Sequence, residues 1–429
     1  MQLHIHFCFM KRVIFYFNSI LYLLLFFSCT RQEKTDHQIV LCFPVYGQSL
    51  ALGEEAELIT NFDSLTDNYE GRIVTENMDY EFGYFDNNEL KQWGKKLIHY
   101  QKRSYELSVY GMAERLISQL GNDTMICTFP GGQGATTLAN LSKGTEPYKQ
   151  FLKNIANAYE IAKEKGWDLE VPAICYMQGE SDIEDYPDTN YKTLLKQLST
   201  DFNRDIKQIT NQKKDIRIIC YQSNNVSGGD HYKQDSFECL ESYVPQTQME
   251  LIRDDSLFWA SGPTYPYTFA RERIHINSEG QKQIGNLAAL SALDIIRGKE
   301  KRQGVVPINI AKNGNEIVIH YNVPVPPLIL DTIAVQKQKN YGFGVINPQG
   351  KDILTGVILE GDSIRLICNG VVDICKVRYA INGERKKSGN RIGPRGNLRD
   401  SQGNKEKTII LGKQYPLHNW GYQFDISLY

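Results

Sequence analysis

The sequence predicts an α/β fold: a three-layer sandwich with helices on both faces of a five-stranded parallel sheet, followed by a C-terminal all-β domain. Three observations predict it. Short, nearly all-apolar runs recur through the first 260 residues, segments of helical periodicity separate them, and beyond residue 304 the pattern changes to alternation with period two.

The runs "IVLCF", "MICTF", "PAICY" and "RIICY" carry Cys42, Cys127, Cys175 and Cys220, are rich in Ile and aromatics, and end at turn residues. Strands apolar on both faces belong to a parallel sheet covered on both sides. "SLFWASG" at 256–262 reads as a fifth strand. Helical periodicity occupies 104–120, 146–165, 189–210 and 278–297. In the second of these, Tyr148, Phe151, Leu152, Ile155, Ala156, Tyr159 and Ala162 recur at three- and four-residue intervals, with lysines and glutamates opposite. Residues 54–103 are acidic, aromatic and turn-rich, and read as an insertion between the first strand and its helix. After Gly298, "GKEKRQG" reads as a linker. "NEIVIHYNV" (315–323) and "DSIRLICNG" (362–370) then alternate, with Asn-Gly and Gly-Asp turns, as strands of a small sandwich or barrel over 305–429. The cationic stretch "GERKKSGNRIGPRGN" (383–397) reads as a solvated loop. Trp420, Tyr422 and Phe424 read as core, with carbohydrate binding as the alternative.

The 429 residues are 41% hydrophobic and 23% charged with a net charge of -2, and no Lys/Arg stripe with interleaved aromatics is present, so no nucleic-acid partner is expected. The N-terminus is strongly biased. From Met10, two cations precede the apolar stretch Val13 to Phe27, and Ser28 and Cys29 follow. The stretch is short for a membrane span, which needs about 20 apolar residues, and fits an export signal. Leu25 to Cys29 resemble a bacterial lipobox, which makes residues 1–29 a signal peptide with its start at Met10, Cys29 the lipidated first residue of the mature chain, and 30–37 a tether. A membrane anchor at the bacterial cell envelope is thus expected, with a plain secretory peptide or an uncleaved signal anchor as alternatives. Cys42, Cys127, Cys175 and Cys220 sit where a thiol is a small hydrophobe, and their spacing matches no metal motif. Cys368 and Cys375 flank "NGVVDI" in an expected hairpin, where pairing and free thiols both stay open in an exported protein.

In open parallel sheets, functional groups gather beyond the carboxyl ends of the strands. There the first strand is followed by "GQS" with Ser49, and the second by "PGGQGATT" with Gly131, Gly132 and Gly134. The third is followed by "MQGESD" with Gln178, Glu180 and Asp182, and the last helix is preceded by "ERIHINSEGQ" with Glu272 and His275. This inventory suits acyl transfer. A serine hydroxyl needs a base, histidine titrates in the right range, and a carboxylate holds the imidazole and offsets its transient charge. Glu272 is three residues from His275 and is the expected acid. Gln178, the N–H near Gly134 and the N–H of Ser49 are the expected oxyanion donors. Ser49 alone would be ordinary turn chemistry, and His275 alone a helix-entry residue ahead of the cap residues Asn277 and Ser278. "GGQGATT" lacks the lysine of a P-loop, and "GQSLA" lacks the second glycine of the G-x-S-x-G elbow.

The ordered set "GQS", "GQGATT", "QGESD" and acid-x-x-His resembles the SGNH hydrolase superfamily, and within it the sialate O-acetylesterase-like branch that includes carbohydrate esterase family six. The resemblance covers residues 38–298. It implies a metal-independent α/β/α esterase that removes acetyl groups from sugars, without a cofactor. It makes Ser49 the nucleophile, His275 the base, Gln178 an amide donor, and Glu272 the counterpart of the family's aspartate. The second glycine of the family's Gly-Gly-Thr is here Ala135, which leaves Gly132 and Gly134 both open as the glycine facing the oxyanion. Glu180 and Asp182 are expected to organise the third loop, and either is an alternative partner for His275. The C-terminal region also resembles modules that follow some bacterial esterases of this type. The expected activity is a serine O-acetylesterase acting on an acetylated glycan or similar small ester, with an inactive glycan-binding lipoprotein as the alternative. Which glycan, and the oligomeric state, stay open.

Overall fold

The computed structural model describes residues 37–74, 80–81, 84–85, 105–185, 190–224, 244–384 and 386–429. The export signal and Cys29 lie outside these. Among the described residues no helix is long and apolar enough to cross a membrane.

The α/β region is built on parallel strands. A five-stranded sheet has the order β9 (Phe258–Pro263), β8 (Arg217–Gln222), β7 (Ala173–Met177), β2 (Val45–Gly47), β5 (Pro130–Gly132). A four-stranded one has the order β3 (Ile73–Val74), β4 (Thr124–Cys127), β1 (Ile39–Cys42), β6 (Asp168–Glu170). The second continues the first. β1 and β2 are separated only by Phe43 and Pro44, and β6 and β7 only by Val171 and Pro172. A proline has no N–H to give a ladder, so the regular pairing lapses there. Bonds from Phe43 N to Cys127 O (2.9 Å) and from Cys175 N to Pro44 O (2.9 Å) carry the chain across the break.

One face of the sheet is covered by α3 (Glu146–Glu164), α5 (Tyr191–Thr210) and α6 (Val244–Asp254), whose apolar residues share a core with Tyr46 and Tyr176. The Tyr46 ring lies 4.7 Å from Phe151 and 5.2 Å, edge-on, from Phe202. The other face is covered by α2 (Ser108–Ile117) and α7 (Ser278–Ile296), packed on Val45, Ile219 and Tyr221. These two helices cross closely because both carry glycine at the crossing: a Cβ on Gly285 would stand 1.8 Å from Ser108 O.

Residues 54–103 are not wholly outside this plan. Residues 54–74 supply α1 (Phe62–Asn68), and β3 pairs Ile73 with Ile126 and Val74 with Cys127. Ile73 and Val74 are too brief a run to stand out in the sequence.

The C-terminal region is antiparallel. One sheet has the order β10 (Val306–Asn313), β11 (Glu316–Asn322), β14 (Ser363–Cys368), β13 (Leu354–Glu360), and another the order β12 (Phe343–Ile346), β15 (Cys375–Tyr379), β16 (Phe424–Leu428). In β11 the period-two pattern is obeyed: Ile317, Ile319 and Tyr321 are buried and the residues between them are half-buried. Cys368 and Cys375 are both buried free thiols, and burial pushes Cys368 up to about 11. The region docks on the sheet through Gln222 and Gln423, where Gln222 Nε2 donates to Gln423 O (2.9 Å) and Gln423 N donates to Gln222 Oε1 (2.8 Å). The stretch 383–397 is not a solvated loop, because its backbone supplies hydrogen bonds to the α/β region. Ser388 N donates to Glu272 O (3.0 Å), Asn390 N donates to Tyr267 O (3.2 Å), and Ser388, Arg395 and Asn397 are buried.

Candidate active site

Three strand ends set the site. Gly47 ends β2 beside Met177 of β7, and a Cβ on Gly47 would stand 1.9 Å from Met177 O. Gly132 ends β5 in register with Gly47 at φ 111, and a Cβ there would be 1.8 Å from Gly47 O. Glycine is required at both positions because three backbones meet there. Ser49 and Gly134 each stand two residues beyond these paired ends, so their loops are neighbours at the carboxyl edge.

After Gly47 the chain turns tightly, with Ala51 N donating to Gln48 O (2.8 Å) and Glu54 N donating to Ser49 O (3.0 Å). Ser49 is nearly buried, and its Oγ lies 2.8 Å from His275 Nε2. His275 Nδ1 lies 2.8 Å from Glu55 Oε2. The other Glu55 oxygen pairs with Arg271 Nη2 at 3.0 Å. Serine, imidazole and carboxylate therefore form a continuous hydrogen-bonded row with its acid from the first loop.

The acid expected from the sequence, Glu272, is elsewhere. Ala270 N donates to His275 O (2.7 Å), which closes the loop, and Arg271 and Glu272 inside it adopt φ 52 and 54. This reversal leaves the Glu272 carboxylate, 44% exposed, 3.7 Å from Lys387 Nζ. Glu55 follows Gly53 and itself has φ 62. Glu106, fully buried at the head of the next described segment, holds the residues that follow. Its carboxylate accepts from Ile59 N (3.0 Å), Thr60 N (2.8 Å) and Thr60 Oγ1 (2.7 Å). The sequence signal for Glu55 was the acidic pair after "SLALG", but nothing in its spacing ties it to a histidine 220 residues away.

Gln178 is fully buried with both ends of its amide engaged. Its Nε2 donates to Asp182 Oδ2 (2.5 Å) and Thr136 O (3.3 Å), and its Oε1 accepts from Tyr176 OH (2.8 Å). Two N–H bonds use both amide hydrogens, so it has none left for an oxyanion. Asp182 also accepts from Leu138 N (2.8 Å), and in this way Gln178 and Asp182 fasten the second loop to the third. Gln48 offers a different amide. Its Oε1 accepts from Gly179 N (3.4 Å) and Ser181 N (3.3 Å), while no described residue accepts from its Nε2. The N–H groups of Ser49 and Gly134 likewise find no acceptor among the described residues. Ala135 adopts φ 49, so this chain keeps a left-handed turn where the family has its second glycine.

Glu180, the first residue of α4 (Glu180–Asp185), is buried and accepts from Tyr221 OH (2.6 and 2.8 Å) and Ser223 Oγ (2.8 Å). Burial raises its carboxyl above the usual range, while these bonds and the charge of nearby His275 pull the other way. It organises the third loop and does not touch the imidazole nitrogen that Glu55 holds. Among the described residues no group of three or more His, Cys, Asp or Glu could hold a metal ion.

Residues 108–294 match the family model for carbohydrate esterases of the sialic acid-specific acetylesterase type. Over that span the chain is similar to the sialic acid-specific acetylesterase family. The matched span carries Gly134, Gln178, Glu180, Asp182 and His275, while Ser49 and Glu55 precede it. The fold is similar to that of a carbohydrate acetylesterase from Xanthomonas citri, with TM-score 0.56 and 13% identity over 91% of this chain and 80% of that one. A protein from Arabidopsis thaliana (TM-score 0.41, 15% identity, 60% of this chain and 98% of that one) and NanS (TM-score 0.41, 14% identity, 61% and 99%) are also similar. No curated protein matches. The family match supports an esterase function for the matched region.

Proposed function

We propose that the protein is a serine esterase that removes O-acetyl groups from a carbohydrate through an acyl-enzyme. The observation that carries this is the position of His275, 2.8 Å from Ser49 Oγ through one ring nitrogen and 2.8 Å from Glu55 through the other. His275 Nε2 takes the hydroxyl proton as Ser49 Oγ attacks the acetyl carbon. Glu55 then faces an imidazolium and lowers the energy of that charge. The developing oxyanion meets the backbone N–H groups of Ser49 and Gly134 and the amide of Gln48. Such fixed donors act without reorganisation. The imidazolium returns its proton to the leaving sugar oxygen, water repeats the attack on the acyl-serine, and acetate leaves. That the sugar is acetylated rests on the family match and on the carbohydrate acetylesterase of similar fold.

Hydrolysis of a chromogenic acetyl ester and of acetylated polysaccharides tests the reading. Ser49→Ala is expected to lower kcat by at least about 10³ with the fold retained, since the serine forms the acyl bond. Activity equal to wild type in that variant would remove the nucleophile, and a wild type inactive on every acetyl ester would leave a binding protein.

The export signal and lipobox add a proposal about place: the enzyme works at a bacterial envelope, tethered through Cys29. Fractionation should show wild type with the membrane and Cys29→Ala released. A Cys29→Ala protein that stays in the membrane fraction refutes the tether.

A further inference from the structure

We infer that the seam between the α/β region and the C-terminal β region is a second carbohydrate-binding site, separate from the acyl-transfer centre. A cleft of about 490 Å³ opens there, within the roughly 300–1,000 Å³ range of small-molecule sites. Ser49, His275 and Glu55 are absent from its wall. It is instead lined from one side by Tyr267, Asn277 and Glu279, and from the other by Gln414, Tyr415 and Trp420. At its inner end a small recess shares Tyr267 and Trp420 with the cleft and adds Tyr422.

The polar inventory of this seam is unfinished. Tyr422 is fully buried, and its hydroxyl proton finds no acceptor among the described residues. Tyr267, 5% exposed, is also left without a described acceptor for its hydroxyl, which burial pushes well up from its ordinary value. Buried tyrosines normally find a partner, because an unpaired hydroxyl costs about 1–3 kcal/mol. A Tyr422 proton without an acceptor, behind a Tyr267 hydroxyl that opens on the cleft, points to a ligand that brings hydroxyls of its own.

The walls narrow its chemistry. Tyr415 offers one ring face, the other lying under Lys413, and Trp420 a small exposed part of its ring as apolar surface for a sugar, while the amide of Gln414 and the carboxylate of Glu279 suit its hydroxyl edge. Lys413 lies 4.9 Å over the Tyr415 ring and opposes the charge of Glu279, so the cleft has no excess cation to favour a phosphate. A neutral oligosaccharide segment fits this combination best. The inference does not rest on acyl transfer by Ser49, although a site for the same polymer chain would hold a glycan near the catalytic loop, since Tyr267 and Asn277 flank His275 in sequence.

The test is calorimetric titration of the full chain with xylotriose, cellotriose and chitotriose as probes. At least one should bind with a Kd of about 1 mM or tighter, unchanged in Ser49→Ala. Tyr415→Ala, at the half-exposed lip, should weaken it about tenfold while hydrolysis of a small chromogenic acetate stays as in wild type. Tyr422→Phe should weaken binding too while hydrolysis of the small acetate again stays as in wild type. No binding by any probe at about 10 mM, equal affinity in both tyrosine variants, or loss of binding in Ser49→Ala would each overturn the inference.

Discussion

Glu55 and Glu272 give opposite predictions. Only Glu55 touches the imidazole, so Glu55→Gln should damage turnover and Glu272→Gln should not. A carboxylate about 4 Å from an imidazolium charge, at an effective dielectric near 20, is worth about 4 kcal/mol. Glu55 is 27% exposed and shares its charge with Arg271, which is itself 77% exposed. Solvent and this second partner reduce the figure to about 3 kcal/mol. At about 1.36 kcal/mol per decade, that is a fall of roughly 150-fold in kcat/KM. The amide preserves the shape of the side chain, so the melting temperature should move little. Glu272, half-exposed and beside Lys387, should change kcat/KM by less than about twofold when made Gln, as expected for an exposed pair. The assay is kcat/KM for a chromogenic acetyl ester across the two variants at constant ionic strength. A large loss in Glu272→Gln with activity retained in Glu55→Gln would refute the reasoning, because the loop would then have to rearrange in solution to bring the other acid to His275.

Gln178→Leu should cost stability of about 2–3 kcal/mol, from the partners it strands, while the folded protein keeps kcat within about threefold of wild type. Gln48→Leu should lower kcat by about 10², the scale of one lost oxyanion donor; the reverse pattern would return Gln178 to the oxyanion. His418 supplies a pH test. Burial first, and then the charge of Arg399, lower it from 6.5 to about 4. Its contribution is therefore intact above about pH 6.5 and is lost as pH falls through 4, because the unfolded chain takes up the proton first. A lowering of that size would be about 3.4 kcal/mol, and about 2–3 after allowing for partial solvent access. Urea midpoints between pH 7 and 4 should fall more steeply in wild type than in His418→Gln, and parallel curves would refute this.

Much of the fold was legible because its strands are buried on both faces. Runs such as "IVLCF" and "RIICY" need no partner in view to be read as strands, and α3 and α5 show their apolar stripe directly. What stayed hidden was short or non-local. Ile73 and Val74 are strand only because β4 stands beside them, and α6, at 11 residues, gives its apolar stripe too few turns to stand out by period alone. In the site, Ser49, His275 and the glycines were legible from chain order and from the rule that strand ends converge. The acid was not, since local spacing favours Glu272, and only a two-residue left-handed reversal sends that side chain away. Gln178 was misread for a related reason: an amide at a strand end can face a substrate or bind the neighbouring loop, and the choice depends on Asp182 and Thr136, which the sequence cannot place in space.

The same reversal explains why the C-terminal region bears on the position of His275. Arg271 and Glu272, at φ 52 and 54, occupy a conformation that costs an ordinary residue about 1 kcal/mol or more each, with nothing in their side chains to favour it. Inside the α/β region the backbone bonds that oppose this strain are Ala270 N to His275 O, Glu272 N to Phe269 O (3.1 Å), Arg273 N to Ala270 O (3.1 Å) and Asn277 N to Thr268 O (3.0 Å). The stretch 383–397 adds Ser388 N to Glu272 O and Asn390 N to Tyr267 O, one bond at the reversal and one at the loop's base. Gly389 between them has φ 96, and a Cβ there would stand 3.0 Å from Tyr267 O, so this approach is open only to glycine. The imidazole is therefore held by two regions of the chain at once, and the cationic loop that looked solvated is part of what keeps His275 within reach of Ser49.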